Sequence, residues 1–104
     1  MLDVANFRSY KKRMTITFDP AKRAATLKNR GLDFADASKV FAGDRATWVD
    51  DRFDYGEERL ITAGRLDGRM VVIVWTARGS DQHVISMRYC HAKEVRKIES
   101  RFGI

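Results

Sequence analysis

Residues 58–90 read ERLITAGRLDGRMVVIVWTARGSDQHVISMRYC, and this stretch decides the fold. Leu66-Asp67-Gly68-Arg69 carries the Asp-Gly pair of a two-residue hairpin turn, because both central positions of that turn need a positive φ. Arg78-Gly79-Ser80-Asp81 marks a second turn. The segments on either side have a period of two or are continuously apolar, so strands are predicted at 58–66, 69–77 and 83–90. Connections this short make the strands antiparallel neighbours. Met70–Trp75 lacks alternation, as expected of a central strand covered on both faces.

Upstream, residues 45–50 read as one more strand and Thr15–Phe18 as a short first one. Asp19-Pro20 is an N-cap followed by proline at the first helical position, where the missing N–H costs nothing. That helix carries Ala24 and Leu27 on one face and ends at Gly31. Asp33 opens a second helix with the apolar stripe Phe34, Ala37, Val40 and Phe41, closed by Gly43. Downstream, Val95, Ile98 and Phe102 give residues 92–102 one apolar face for packing on the sheet. The order β-α-α-β-β-β-β-α is that of a single α+β domain with an antiparallel sheet, over residues 14–104. Residues 1–13 form a basic N-terminal extension, read either as a simple arm or as one that touches nucleic acid.

Composition narrows the function. The 104 residues carry 20 Lys+Arg against 14 Asp+Glu, a formal charge of +6, which favours a polyanionic partner. The single cysteine, Cys90, excludes an intrachain disulfide and is expected as a buried structural thiol. No Cys/His spacing resembles a metal site, so neither metal nor cofactor is expected. There is no Gly-x-Ser-x-Gly elbow and no phosphate-cradling glycine loop. The Met70–Trp75 run is too short to span a bilayer, and Met1–Arg13 has no apolar centre of the secretory kind. A cytoplasmic protein without membrane contact is the expectation.

Beyond these generic features, ordered motifs appear. Phe18-Asp19-Pro20-Ala21-Lys22, Asn29-x-Gly31 and Phe34-x-x-Ala37 are followed by Tyr55-Gly56-Glu57-Glu58-Arg59 and Gly64-Arg65. Trp75-Thr76-x-Arg78, Ile85-Ser86-Met87-Arg88 and Glu94 complete the series. Together, from about Thr15 to Arg101, they resemble the BrnT toxin family. The resemblance implies a RelE-like ribonuclease fold and membership of a type II toxin–antitoxin pair. It also implies inhibition of translation by RNA cleavage, and neutralisation by a ribbon-helix-helix antitoxin, BrnA, through which alone operator DNA would be reached. Trp75 departs from the pattern, where a tyrosine is common. So does Cys90-His91, which replaces a small residue and a polar cap.

RNA cleavage without a metal requires deprotonation of the 2′-oxygen, stabilisation of the phosphorane, and protonation of the leaving 5′-oxygen. Arg65, Arg78 and Arg88 lie on three strand segments and are the candidates for the phosphate, by their permanent charge and planar fork. The other reading of the same residues is a set of solvated charges that block edge pairing. Ser86 shares a face with Arg88, and Thr76 with Arg78, because residues two apart in a strand point the same way. Glu58 is the candidate general base, although beside Arg59 it faces the opposite way and an ion pair serves as well. Tyr55, Arg59, Thr76 and His91 are the candidate substrate contacts. Tyr55 either stacks or donates to RNA, or merely orders its loop. His91 is expected foremost as the N-cap of the last helix, His83 as a surface residue, and Trp48 and Trp75 as core. A basic binding module without catalysis is the alternative to the ribonuclease. The basic last helix and the N-terminal arm are the candidate surfaces for the antitoxin.

Overall fold

The computed structural model describes residues 15–104; the N-terminal extension and Met14 lie outside the described residues. Within them the order is β1 (Ile16–Phe18), α1 (Pro20–Arg30), a 3-10 turn (Phe34–Asp36), α2 (Ala37–Ala42), β2 (Arg45–Asp50), β3 (Arg59–Leu66), β4 (Arg69–Arg78), β5 (Asp81–Tyr89) and α3 (Ala92–Phe102). The sheet order is β1-β5-β4-β3-β2. The α+β class and the element order are therefore as the sequence implies.

Two features refine the expectation. The sheet is mixed: β2 to β5 are antiparallel, whereas β1 pairs parallel with β5 through Ile16–Gln82, Thr17–His83 and Phe18–Val84. The second helix begins as a 3-10 turn, with Asp33 Oδ1 accepting from Ala35 N at 2.9 Å, before α2 takes over.

Local chemistry explains the rest of the frame. Asp19 Oδ1 accepts from Ala21 N at 2.9 Å ahead of Pro20, and Gly31 ends α1 in the left-handed conformation. Asp67 and Gly68 both have positive φ, 52° and 83°, as the β3–β4 hairpin turn requires. Gly64 is small because α2 crosses it: a Cβ there would lie 2.8 Å from Val40 Cγ1 and 3.2 Å from the Asp44 carbonyl. Arg30 donates to the Met87 carbonyl at 2.9 Å and fixes α1 beside β5.

Alternation divides the sheet into two faces. One carries Leu66, Val71, Ile73, Trp75, Val84 and Met87 against Leu32, Phe34, Ala37 and Val40. Trp75 belongs here, its ring edge-on to Phe41 and its Nε1 donating to Thr62 Oγ1 at 2.8 Å. The opposite face has its own smaller cluster of Ala63, Met70, Val72, Cys90 and Ile98 beneath α3. Helix α3 covers only part of that face. Trp48 is not deep core: half-buried, it stacks on Phe102 with ring centroids 5.2 Å apart.

Candidate functional site

The half of this second face that α3 leaves open carries the polar side chains. Strand register sets them in a row: Asp50 on β2 opposes Arg59 on β3, Thr76 on β4 opposes His83 on β5, and His83 opposes Thr17 on β1. Leu60 pairs with Trp75, so Arg59 and Thr76 are the next opposed positions. Thr76 Oγ1 donates to the Glu58 carbonyl at 2.7 Å and closes the β2–β3 loop onto this row. Two residues nearer α3, Trp48, Ile61, Val74 and Ser86 form a less polar row on the same face.

That second row floors a pocket of about 220 Å³ lined by Trp48, Arg52, Ile61, Val72, Val74, Ser86, Arg88 and Glu94. Two arginines border it, each held by a carboxylate. Asp50, whose side chain is wholly buried, accepts from Arg52 Nε at 2.7 Å and Nη2 at 2.8 Å, and from Tyr55 Oη at 3.2 Å. Hydrogen bonding by Arg52 lowers the Asp50 pKa to about 2 against the cost of burial. Glu94, in the first turn of α3, takes both ends of Arg88 at 2.7 and 2.8 Å, and that pairing brings its pKa to about 2.

The row itself holds two arginines on a looser tether. Arg59 Nε is 3.6 Å and Arg78 Nη2 3.9 Å from the Glu57 carboxylate, too far for strong hydrogen bonds. The Arg59 guanidinium lies 4.0 Å over the Tyr55 ring. Its Nε is the only buried side-chain nitrogen or oxygen among the described residues without a hydrogen-bond partner. An unsatisfied buried donor is costly, so this guanidinium is held with less than its full set of hydrogen bonds. Phe53 stands in the same loop, 69% exposed, with its ring edge-on to Tyr55.

The structure thus brings Arg59, Thr76, Arg78, Ser86, Arg88 and Tyr55 together on one face. Thr76, however, is buried there beneath the β2–β3 loop, its hydroxyl taken by the Glu58 carbonyl, so it is not exposed as a substrate contact requires. Glu58 contributes its carbonyl, and the carboxylate between the two loosely held arginines is that of Glu57. Arg65 stands apart. It pairs with Glu99 at 2.7 Å and lies opposite Met70, roughly 26 Å along the strand direction from Arg78. His91 caps α3, Nδ1 accepting from Glu94 N at 3.3 Å, and is otherwise exposed. Cys90 is buried, and desolvation raises its thiol to about 11, so it stays protonated and unreactive at neutral pH.

Sequence reasoning overlooked Asp50, Arg52, Phe53 and His83. The Asp50-x-Arg52 spacing was a usable signal, since a strand-end carboxylate two residues before an arginine can hold it. His83 was hidden by a bulge. The register shifts at Val74/Trp75, so that Ser86 opposes Val74 while His83 opposes Thr76. Residues three apart would normally face opposite ways; the extra residue puts both on this face. His83 is accordingly half-buried and bonded through Nδ1 to Thr17 Oγ1 at 2.8 Å, not a surface bystander.

An arginine-lined face with a half-satisfied donor set suits a phosphodiester chain. Residues 18–94, well over half of the sequence, match the family model described as the ribonuclease toxin, BrnT, of type II toxin–antitoxin systems. The chain belongs to this family. It is therefore a ribonuclease toxin by family, with RNA as substrate and an antitoxin as partner. The match begins at the last residue of β1 and ends at Glu94, so it spans the strand residues of the open face except Thr17. No curated protein matches the sequence individually. No helix among the described residues is long and apolar enough to cross a membrane.

Proposed function

We propose that this BrnT toxin is an endoribonuclease that binds RNA across the open half of its sheet, with Arg59 and Arg78 on the scissile phosphate. The observation that carries this is that Arg59 and Arg78 share one carboxylate, Glu57, through loose ion pairs of 3.6 and 3.9 Å. These forks are positioned without being satisfied, so a phosphate replaces weak contacts rather than strong ones. Arg52 and Arg88 are held tightly by Asp50 and Glu94 and form the pocket wall that receives the flanking nucleotide, with Ser86 alongside. Thr76, buried, serves by holding the β2–β3 loop. Phe53 and Tyr55 offer ring faces for bases. Glu58 keeps a place only through its carbonyl, and Arg65 and His91 lie outside this site.

Guanidinium groups supply the phosphorane stabilisation, so cleavage proceeds without a metal and persists in EDTA. The toxin acts in the cytoplasm, lowers translation by destroying RNA, and is neutralised by a BrnA-like ribbon-helix-helix antitoxin. The antitoxin docks where apolar surface meets basic charge: the groove of about 200 Å³ lined by Trp48, Lys97, Ile98, Arg101 and Phe102.

The test is cleavage of a defined RNA by purified protein carrying Arg59→Ala, Arg78→Ala or Arg65→Ala, with folding checked by circular dichroism. The first two lose cleavage and RNA affinity; the third keeps both. Equal loss in all three, or RNA binding without cleavage by the unmodified protein, overturns the reading in favour of a basic binding module.

A further inference from the structure

His83 is the one imidazole on the open face. It stands between Thr76 and Thr17 in the polar row, in the strand next to that of Arg78. Its ring is oriented from behind. Nδ1 lies 2.8 Å from Thr17 Oγ1, which leaves Nε2 without a hydrogen-bond partner among the described residues. The bulge after Val84 turns this side chain to the arginine face, and bulges beside active sites commonly re-aim a side chain in this way.

Four charged groups act on the ring. Arg78 faces it from β4, Glu57 from the β2–β3 loop, Lys22 from α1 and Asp19 from the cap of α1. Burial, and then the positive charge of Arg78, lowers the pKa of His83 below its usual 6.5. The imidazole is thus neutral at physiological pH, the form that accepts a proton.

We propose that His83 is the general base of RNA cleavage, taking the 2′-hydroxyl proton on Nε2 while its Nδ1–H donates to Thr17 Oγ1. This rests on the reading that RNA lies across Arg59 and Arg78. As the proton passes to His83, the 2′-oxygen bonds to phosphorus and the bond from phosphorus to the 5′-oxygen breaks. The products are a 2′,3′-cyclic phosphate and a 5′-hydroxyl. The leaving 5′-oxygen takes its proton from solvent water, and the resulting hydroxide removes the proton held by His83, so no proton is gained or lost overall. Arg59 and Arg78 carry the charge of the phosphorane. His83 fills the position in the site that sequence reading could only offer to Glu58.

The experiment measures single-turnover cleavage from about pH 5 to 8 for the unmodified protein, His83→Ala and His83→Gln, with affinity for a non-cleavable 2′-deoxy analogue measured alongside. The glutamine keeps a polar group for Thr17 and cannot act as a base. Both variants should lose about 10²- to 10⁴-fold in rate, retain RNA affinity within about threefold, and lose the acidic limb of the pH profile. Imidazole added to His83→Ala should restore part of the rate. A variant that keeps its acidic limb, or loses affinity and rate together, overturns the proposal. If substitution prevents folding, proton NMR of the unmodified protein decides: the chain has 2 histidines, and His91→Gln assigns their signals. The midpoint for His83 must then coincide with the acidic limb of cleavage, and a mismatch overturns the proposal. Failure of the RNA site itself is distinguished by Arg59→Ala and Arg78→Ala, which would then leave analogue affinity unchanged.

Discussion

The two halves of one sheet face use the same strands for opposite ends. Beneath α3, β3 and β4 present Ala63, Met70 and Val72, closed by Cys90 and Ile98. Farther along β3 and β4 the same alternation presents Arg59, Thr76 and Arg78, of which Arg78 is exposed, Arg59 half-buried and Thr76 buried under the β2–β3 loop. The apolar half gains by excluding water and is worth stability. The polar half forgoes that gain and leaves a buried arginine nitrogen without an acceptor, so its worth is in binding. The division lies where α3 begins, at His91 and Glu94, and Glu94 itself ties Arg88 at the boundary.

This contrast makes the halves separable by mutation. The largest effect is expected on activity. Arg59→Ala or Arg78→Ala should slow RNA cleavage by about 10²- to 10³-fold, the scale of losing one transition-state donor, while thermal unfolding changes little. Ile98→Ala should do the reverse. It removes a buried side chain from the α3 cluster, costing about 2–5 kcal/mol of stability by chemical denaturation, with RNA affinity of the folded fraction unchanged. On the other face, Gly64→Val should cost about 1–3 kcal/mol by overpacking against Val40. A loss of RNA affinity from Ile98→Ala in folded protein would break the contrast.

A smaller effect concerns acid. Asp50 and Glu94 both have folded pKa values near 2, below those of free carboxylates. The folded protein therefore binds fewer protons than the unfolded chain in this range. Their stabilisation is complete above about pH 4.5 and is lost as the pH falls toward 2. Urea midpoints should decline across that window, and Asp50→Asn should flatten the decline. The smallest effect is at Cys90: alkylation by iodoacetamide at neutral pH should be slow in the folded state and rapid once it is unfolded.

Much of the frame was legible. Strands predicted at 45–50, 58–66, 69–77 and 83–90 are found at Arg45–Asp50, Arg59–Leu66, Arg69–Arg78 and Asp81–Tyr89. The turn at Asp67-Gly68, the caps at Asp19 and His91, and the burial of Cys90 also follow from local chemistry. What escaped was non-local. The parallel pairing of β1 with β5 joins residues 66 apart and leaves no local mark. The bulge after Val84 has no sequence signature, so the spacing of His83 to Ser86 could not show that they share a face. Strand spacing alone could not show that α3 falls between Arg65 and the other arginines. Ser86, Arg88, Thr76 and Arg78 share a face as their spacing implied, because no irregularity interrupts either pair.

On the proposed reading RNA lies on the open half of the sheet, away from Arg65. Backbone amide NMR shifts on titration with a non-cleavable 2′-deoxy RNA analogue test this directly. The changes should cluster at residues 51–59, at 76–83 and around Arg88, with Arg65, Glu99 and the end of α3 unaffected. Changes centred on Arg65 and the C-terminal turn of α3, with residues 51–59 silent, would contradict it.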